Sequence, residues 1–248
     1  MTYKNTPLIQ GKCTRQAIRV LPPFFLSNCC HFAYFTLVII IKMELYKDKI
    51  SDFWSWFEEN ETRIKECIEN DIISEKEFVN EKLNDFILSI GLFTWEIGIN
   101  EKGSWFLTIS PNGNKDLLQL SRKIIRGAPA NNTWLFHSGK PAKNWDRIIR
   151  VYDNKLDQTH IDSSEWYFYS FARNDGIIEL IIEAENSGHL DEDTAHSAAD
   201  YFVNNELGEA KRIELFAPIK IVSELEPAYA ENKQPISNFK NHIEAMLL

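Results

Sequence analysis

The strongest constraint on this fold is a change of hydrophobic period at Leu92. From there Phe93-Thr94-Trp95-Glu96-Ile97-Gly98-Ile99 alternates, as does Trp105 to Ile109. A period of two marks half-buried strands, and the intervening Asn100-Glu101-Lys102-Gly103 has hairpin-turn chemistry. Ser110-Pro111-Asn112-Gly113-Asn114 stops the second strand and caps a helix over Lys115 to Arg126. Gly127-Ala128-Pro129 closes that helix, and a strand follows at Thr133–His137. The order then returns. Trp166–Ala172 and Ile177–Ala184 are strands about the turn Arg173–Gly176, and Glu185–Gly188 breaks the second. Asp191 caps a helix through Leu207, and Lys211–Val222 reads as a strand bent at Pro218. Residues 92–138 and 165–222 therefore share a ββαβ order. A hairpin with one helix covers a single face of its sheet, so two such units gain by sharing a sheet or packing together. The expected fold is α+β, with an antiparallel sheet from two pseudo-repeated ββαβ halves and helices mainly on one side.

Before Leu92 the pattern is helical. Phe53, Trp54, Phe57, Ile64 and Ile68 recur at spacings of three, four and seven behind a Ser51-Asp52 cap. A second helix from Ser74 to Ile90 buries Phe78, Leu83, Phe86 and Ile87, with Ser74-Glu75-Lys76-Glu77 as its capping box. After the polar linker Ala228–Pro235 a last helix spans Ile236–Leu248. The expected division is a leader, 1–42, and one domain, 43–248. Within it lie a helical hairpin (43–91), a first half (92–150), a second half (165–222) and the C-terminal helix (236–248).

Charge separates leader from body. Of 248 residues, 27 are Lys or Arg and 36 are Asp or Glu, a formal charge of -9. Residues 1–42 hold five bases and no acid, so 43–248 carries 22 bases against all 36 acids, a net -14. Such a body repels a phosphate backbone, which argues against nucleic-acid binding and towards a basic protein partner. Three of the four cysteines, Cys13, Cys29 and Cys30, lie in the leader, leaving Cys67 alone in the body. A single cysteine makes no internal disulfide, and no Cys/His spacing resembles a zinc site. The body reads as cytoplasmic. The leader admits three readings: sequence upstream of a natural start at Met43, a membrane anchor over 24–41, or a cleaved signal. The first is favoured, because the leader has no acids, clusters three cysteines and is rich in Ile and Phe, while Pro22-Pro23, Asn28 and His31 interrupt a signal-like run. Under that reading no membrane partner is expected.

Candidate sites are few. The loop from His137 through Lys140, Lys143 and Trp145 to Arg147 gathers bases and an indole in an acidic chain. It suits an anion, with the lysines as charges and Trp145 as a stacking face. Its ordinary reading is a solvated loop in which Asn144 caps a helix over Trp145–Tyr152. Ser110–Asn114 lacks the glycine spacing of a phosphate loop or dinucleotide fingerprint, and no cofactor is expected. Glu192, Asp193 and His196 share a helix start, but carboxylates favour that position for dipole reasons alone, so no metal is expected. Ser170, Ser187 and Cys67 lie in no nucleophile motif. Glu179, Glu183 and Glu185 alternate on what reads as the solvent side of a strand. Trp54 and Trp56 flank one helix face and are not both buried on it, which offers an exposed indole to a partner.

The run Trp95-Glu96-Ile97, Leu107-Thr108-Ile109-Ser110-Pro111-Asn112-Gly113, Ala128-Pro129, Trp134 and Lys140-Pro141 follows Phe53-Trp54-Ser55-Trp56-Phe57 and precedes Leu207-Gly208-Glu209. In these short motifs residues 43–248 resemble a bacterial family of uncharacterised proteins. The resemblance implies a start at Met43 and brings no activity or catalytic residues. The expected function is a non-enzymatic, acidic protein-interaction module, immunity- or inhibitor-like. The alternative is a small-molecule or nucleotide-binding domain, with or without enzymatic activity, that uses the 137–147 loop.

Overall fold

A computed structural model describes residues 28–130, 132–152 and 155–247, with side chains from Tyr46 onward. Of the leader, residues 1–27 lie outside the residues so described, and of the segment 24–41 only the backbone of 28–41 is described, as helix. Among the described residues no helix is long and apolar enough to cross a membrane. The chain divides into two compact units, Met1–Glu44 and Leu45–Leu248; in the first, the backbone is helical from Asn28. All that follows concerns the second.

Helix α1 (Asn28–Glu69) and α2 (Ile73–Ile90) form the expected hairpin. Phe53, Phe57, Ile64, Cys67, Leu83 and Ile87 are at most 1% exposed, because one apolar face of each helix meets the other and the sheet beyond. Neither expected cap forms. Ser51 and Asp52 lie inside α1, and α2 starts at Ile73 behind Ile72, which puts Ser74 within the first turn.

The first sheet joins β1 (Thr94–Ile99), β2 (Trp105–Ser110) and β3 (Trp134–His137) in that order. Strands β1 and β2 are antiparallel, while β2 and β3 are parallel across α3 (Lys115–Arg126). Asn114 caps α3 by accepting from the amides of Asp116 and Leu117 at 2.9 and 3.0 Å. Trp95, Ile97, Leu107, Ile109, Trp134 and Phe136 share the face that packs on the three helices. The indole N–H of Trp54 fixes α1 to α3 by donating to the Ile124 carbonyl at 2.7 Å.

Strands β4 (Ile148–Tyr152) and β5 (Gln158–Asp162) form a separate antiparallel pair. A third sheet follows the order β8-β7-β6-β9, from β6 (Tyr167–Ala172), β7 (Ile178–Glu183), β8 (Lys220–Val222) and β9 (Gln234–Pro235). Helices α4 (Glu192–Leu207) and α5 (Glu209–Leu215) connect β7 to the parallel β8. Short α6 (Pro227–Ala230), a 3-10 turn (Ile236–Asn238) and α7 (Phe239–Met246) end the described chain. Trp166, Phe168, Ile182, Phe202, Phe239 and Ile243 make the second core.

The fold is thus α+β, but it differs from the expectation in four ways. Among the described residues there are three sheets, and two of the strand pairs are parallel, because a strand returning through a helix re-enters in the same direction. Trp145–Tyr152 is no helix: Ile148, Ile149 and Val151 are β-branched and pair with β5, so the expected boundary at 150 cuts a strand. Lys211–Leu215 is the end of α5, and only Lys220–Val222 is strand. The final α-helix begins at Phe239 rather than at Ile236.

Candidate functional site

Three loops meet at one buried carboxylate. Glu209, at the start of α5, is 3% exposed. Its two oxygens accept from the Ser110 hydroxyl at 2.9 and 2.8 Å, from the Gly113 amide at 3.2 Å and from the Lys140 amide at 3.0 Å. Its own amide donates to the Lys140 carbonyl at 2.8 Å. One side chain thereby ties the β2–α3 corner, the loop after β3 and the α4–α5 joint. Gly208, inside that joint, has φ +89°, and a Cβ there would stand 3.2 Å from the Ala142 nitrogen. Only glycine meets both demands without strain.

Glu206 repeats the device one turn earlier. It accepts from the Trp145 indole N–H and from Arg147 Nε, each at 3.1 Å. The Trp145 ring packs against Tyr201 and Phe202 at centroid distances of 5.8 and 6.0 Å. Arg147, at φ 58°, accepts at its carbonyl from the Ser163 amide and hydroxyl at 3.0 and 2.8 Å. Trp145 and Arg147 are therefore occupied in holding the loop to α4. The Lys143 amide donates to the Asn205 carbonyl at 2.8 Å, and its side chain is exposed.

Beside this junction lies a cleft of about 280 Å³ between the loop after β3 and the α4–α5 joint. Ile125, Phe136 and Leu207 give it apolar walls, and His137, Lys140 and Lys211 are its titratable lining. Of the five loop residues singled out by sequence, the cleft takes His137 and Lys140 and leaves out Lys143, Trp145 and Arg147. Burial holds the His137 imidazole below its ordinary pKa of 6.5, so it is neutral at pH 7. The Lys140 ammonium stands 3.6 Å from Glu96, and that of Lys211 stands 3.7 Å from Glu244.

His137 also belongs to a polar row. Glu96, Thr108 and His137 are in register across β1, β2 and β3, on the face turned away from the three helices. Thr108 is fully buried, and among the described residues its hydroxyl has no hydrogen-bond partner. Sequence alternation places these residues on one face, but burial of that face follows from segments distant in sequence.

Other candidates resolve individually. Trp54 is core, 3% exposed, and offers no surface to a partner; Trp56 is half-buried with its ring 5.4 Å from that of Phe86. His196 Nδ1 lies 2.9 Å from the Glu192 backbone carbonyl. Among the described residues no group of three His, Cys, Asp or Glu side chains is placed to hold a metal. Ser170 gains a partner the sequence did not disclose: its hydroxyl lies 3.1 Å from His242 Nε2, across 72 residues. Glu183 is 4% exposed, opposite to its expected solvent side, and accepts from the Leu225 amide at 2.8 Å and from Lys233. Burial pushes its carboxyl up, but the Lys233 and Leu225 hydrogen bonds together bring it below its ordinary 4.5.

The helical hairpin carries the most charge. Residues 51–90 contain eleven acids and four bases, Arg63, Lys65, Lys76 and Lys82. All four bases are ion-paired within the hairpin, to Glu75, Glu61, Asp71 and Asp85. The other seven acids are exposed, and none forms an ion pair among the described residues. Asp52, Glu59 and Glu66 are seven apart, one stripe of α1, and Glu77 and Glu81 are four apart on α2.

Compared with protein-family models, with curated proteins and with solved structures, the chain matches none of them.

Proposed function

We propose that the protein is a cytoplasmic, non-enzymatic interaction module whose helical hairpin engages a basic protein, in the manner of an immunity or inhibitor protein. The observation that carries this reading is the hairpin's charge distribution. Within residues 51–90 the four bases are ion-paired internally, which leaves seven exposed carboxylates on that stretch of two neighbouring helices. A concentration of one sign raises the association rate with an oppositely charged surface and repels others. The half-buried Trp56 and the exposed Leu88 lie on the same hairpin and supply apolar contact. A lone thiol in the body accords with a reducing compartment. We also read β1-β2-α3-β3 and β6-β7-α4-α5-β8 as two copies of one ββαβ unit, supported by the shared order of a hairpin followed by a parallel strand beside its second member.

The test is affinity isolation from the cell of origin with two baits. One is the native chain, and the other carries Glu58, Glu59, Glu66, Glu77 and Glu81 changed to Gln. The expected result is a stoichiometric basic protein held by the native chain, released as salt rises and lost by the variant. Retention of the same partner by the variant sinks the reading, as does recovery of no stoichiometric partner at low salt.

A further inference from the structure

We infer that the cleft between the loop after β3 and the α4–α5 joint binds a small organic anion, an acidic head group on a compact apolar body. The inference is independent of the hairpin's role, because none of the residues lining the cleft lies on α1 or α2.

The first support is local charge. In a chain of net charge -9, every titratable side chain lining the cleft, His137, Lys140 and Lys211, is nitrogen-based. Both ammoniums remain available. Their separations from Glu96 and Glu244, 3.6 and 3.7 Å, exceed hydrogen-bond length, and all four side chains are 40–48% exposed. Exposed pairs of this kind are worth about 0–1 kcal/mol, so a bound anion competes with them at little cost.

The second support is the apolar wall of Ile125, Phe136 and Leu207, which asks for a hydrocarbon body behind the charge. A volume near 280 Å³ lies at the small end of ligand sites and excludes a dinucleotide. The third is unspent hydrogen-bonding capacity. Among the described residues the His137 ring, which lines the cleft, makes no hydrogen bond. Buried polar groups are ordinarily satisfied, and exceptions gather at sites that receive something. A neutral imidazole here supplies a donor to the head group, while the two lysines supply the charge. Preorganisation is the fourth. Lys140 is clamped at both its amide and its carbonyl by Glu209, and Gly208 brings the α4–α5 joint against Ala142, so little ordering remains for a ligand to impose.

The experiment titrates the full chain with benzoate, phenyl phosphate and neutral benzyl alcohol, followed by amide resonances in two-dimensional NMR. Saturable shifts are expected at Gly139, Ala142, Gly208 and Lys211 with one or both anions and not with benzyl alcohol. The tighter anion tells carboxylate from phosphate. Lys140→Met with Lys211→Met keeps the aliphatic stems and removes both charges, and should weaken binding about tenfold or more. His137→Gln should weaken it less, since it removes no charge. Because both lysine head groups are solvent-exposed, the double variant should keep the native dispersion of its spectrum; if it does not, the single changes report instead. Absence of saturable shifts with both anions overturns the inference. So do equal binding of benzyl alcohol and unchanged affinity in the lysine variants.

Discussion

Replacing Glu209 tests whether one carboxylate joins the two halves. In Glu209→Ala the Ser110 hydroxyl and the Lys140 amide lose an acceptor in a region where Ser110 is 1% exposed. The Gly113 amide loses one too, but Gly113 is exposed and water takes its place. Leaving a buried donor unpaired costs about 1–3 kcal/mol, and the part-buried Lys140 amide adds the low end of that range, so the predicted loss is about 2–4 kcal/mol. Against a total stability of about 5–15 kcal/mol that is a large fraction. Glu209→Gln keeps one acceptor oxygen, which serves the Lys140 amide, while its new NH₂ donates to Ser110. It should cost about 1–2 kcal/mol, since a charge-assisted bond becomes a neutral one. Urea unfolding measures both, with the midpoint falling and the slope unchanged. Ser110→Ala gives the control. On the native background it should cost about 1 kcal/mol, and combined with Glu209→Ala it should add little, because the partner is already gone. A loss below about 1 kcal/mol for Glu209→Ala, or full additivity of the two changes, would refute the keystone role.

Three further outcomes are expected. Lys233→Met removes the hydrogen bond that lowers Glu183 while burial continues to raise it, so the carboxyl pKa should rise. In the native chain Glu183 contributes fully above its ordinary 4.5, and that contribution is lost as pH falls through the lower folded value; in the variant the acid loss should begin at higher pH, as urea midpoints against pH will show. Cys67 is 1% exposed and burial pushes its thiol up, so a thiol reagent should modify it only as fast as the hairpin opens; prompt reaction in native buffer would show that α1 and α2 separate freely. Gly208→Ala forces a Cβ into a left-handed conformation 3.2 Å from the Ala142 nitrogen, and should cost about 1–3 kcal/mol by thermal unfolding.

What the sequence discloses follows the distance over which its signals act. The hairpin turn at Asn100–Gly103 and the Asn114 cap are made by neighbouring residues, so β1, β2 and the limits of α3, Lys115 and Arg126, are read directly. The strand β4 is not, because Asn144 imitates a helix cap and its true partner β5 lies across a turn with no strong strand pattern. Glu183 was legible only as one of three alternating acids. Its burial comes from Leu225 and Lys233, 42 and 50 residues further on. Of the loop read as an alternative anion site, His137 and Lys140 reach the cleft because Glu209 pins the backbone of Lys140. Trp145 and Arg147 are drawn away by Glu206, whose role had no local signature. Ser170 likewise meets His242 only through the packing of α7 on β6.

The short motifs acquire a physical meaning from this geometry. Ser110-Pro111-Asn112-Gly113, Lys140-Pro141 and Leu207-Gly208-Glu209 are separated by up to 99 residues, yet all touch one carboxylate or the glycine beside it. Phe53-Trp54-Ser55-Trp56-Phe57 is held to the same half by the Trp54 bond to α3. A chain that keeps these residues keeps the joint between a sheet and the helices that follow it, whatever its surface does. The residues that would distinguish one partner or ligand from another are the exposed acids of the hairpin and the lysines of the cleft. None of those seven acids nor Lys211 lies in a motif, and Lys140 enters one through its clamped backbone while its ammonium makes only an exposed ion pair with Glu96. Substitution of the motif residues should lower stability, and substitution of the surface charges should change binding while leaving stability within about 0.5 kcal/mol.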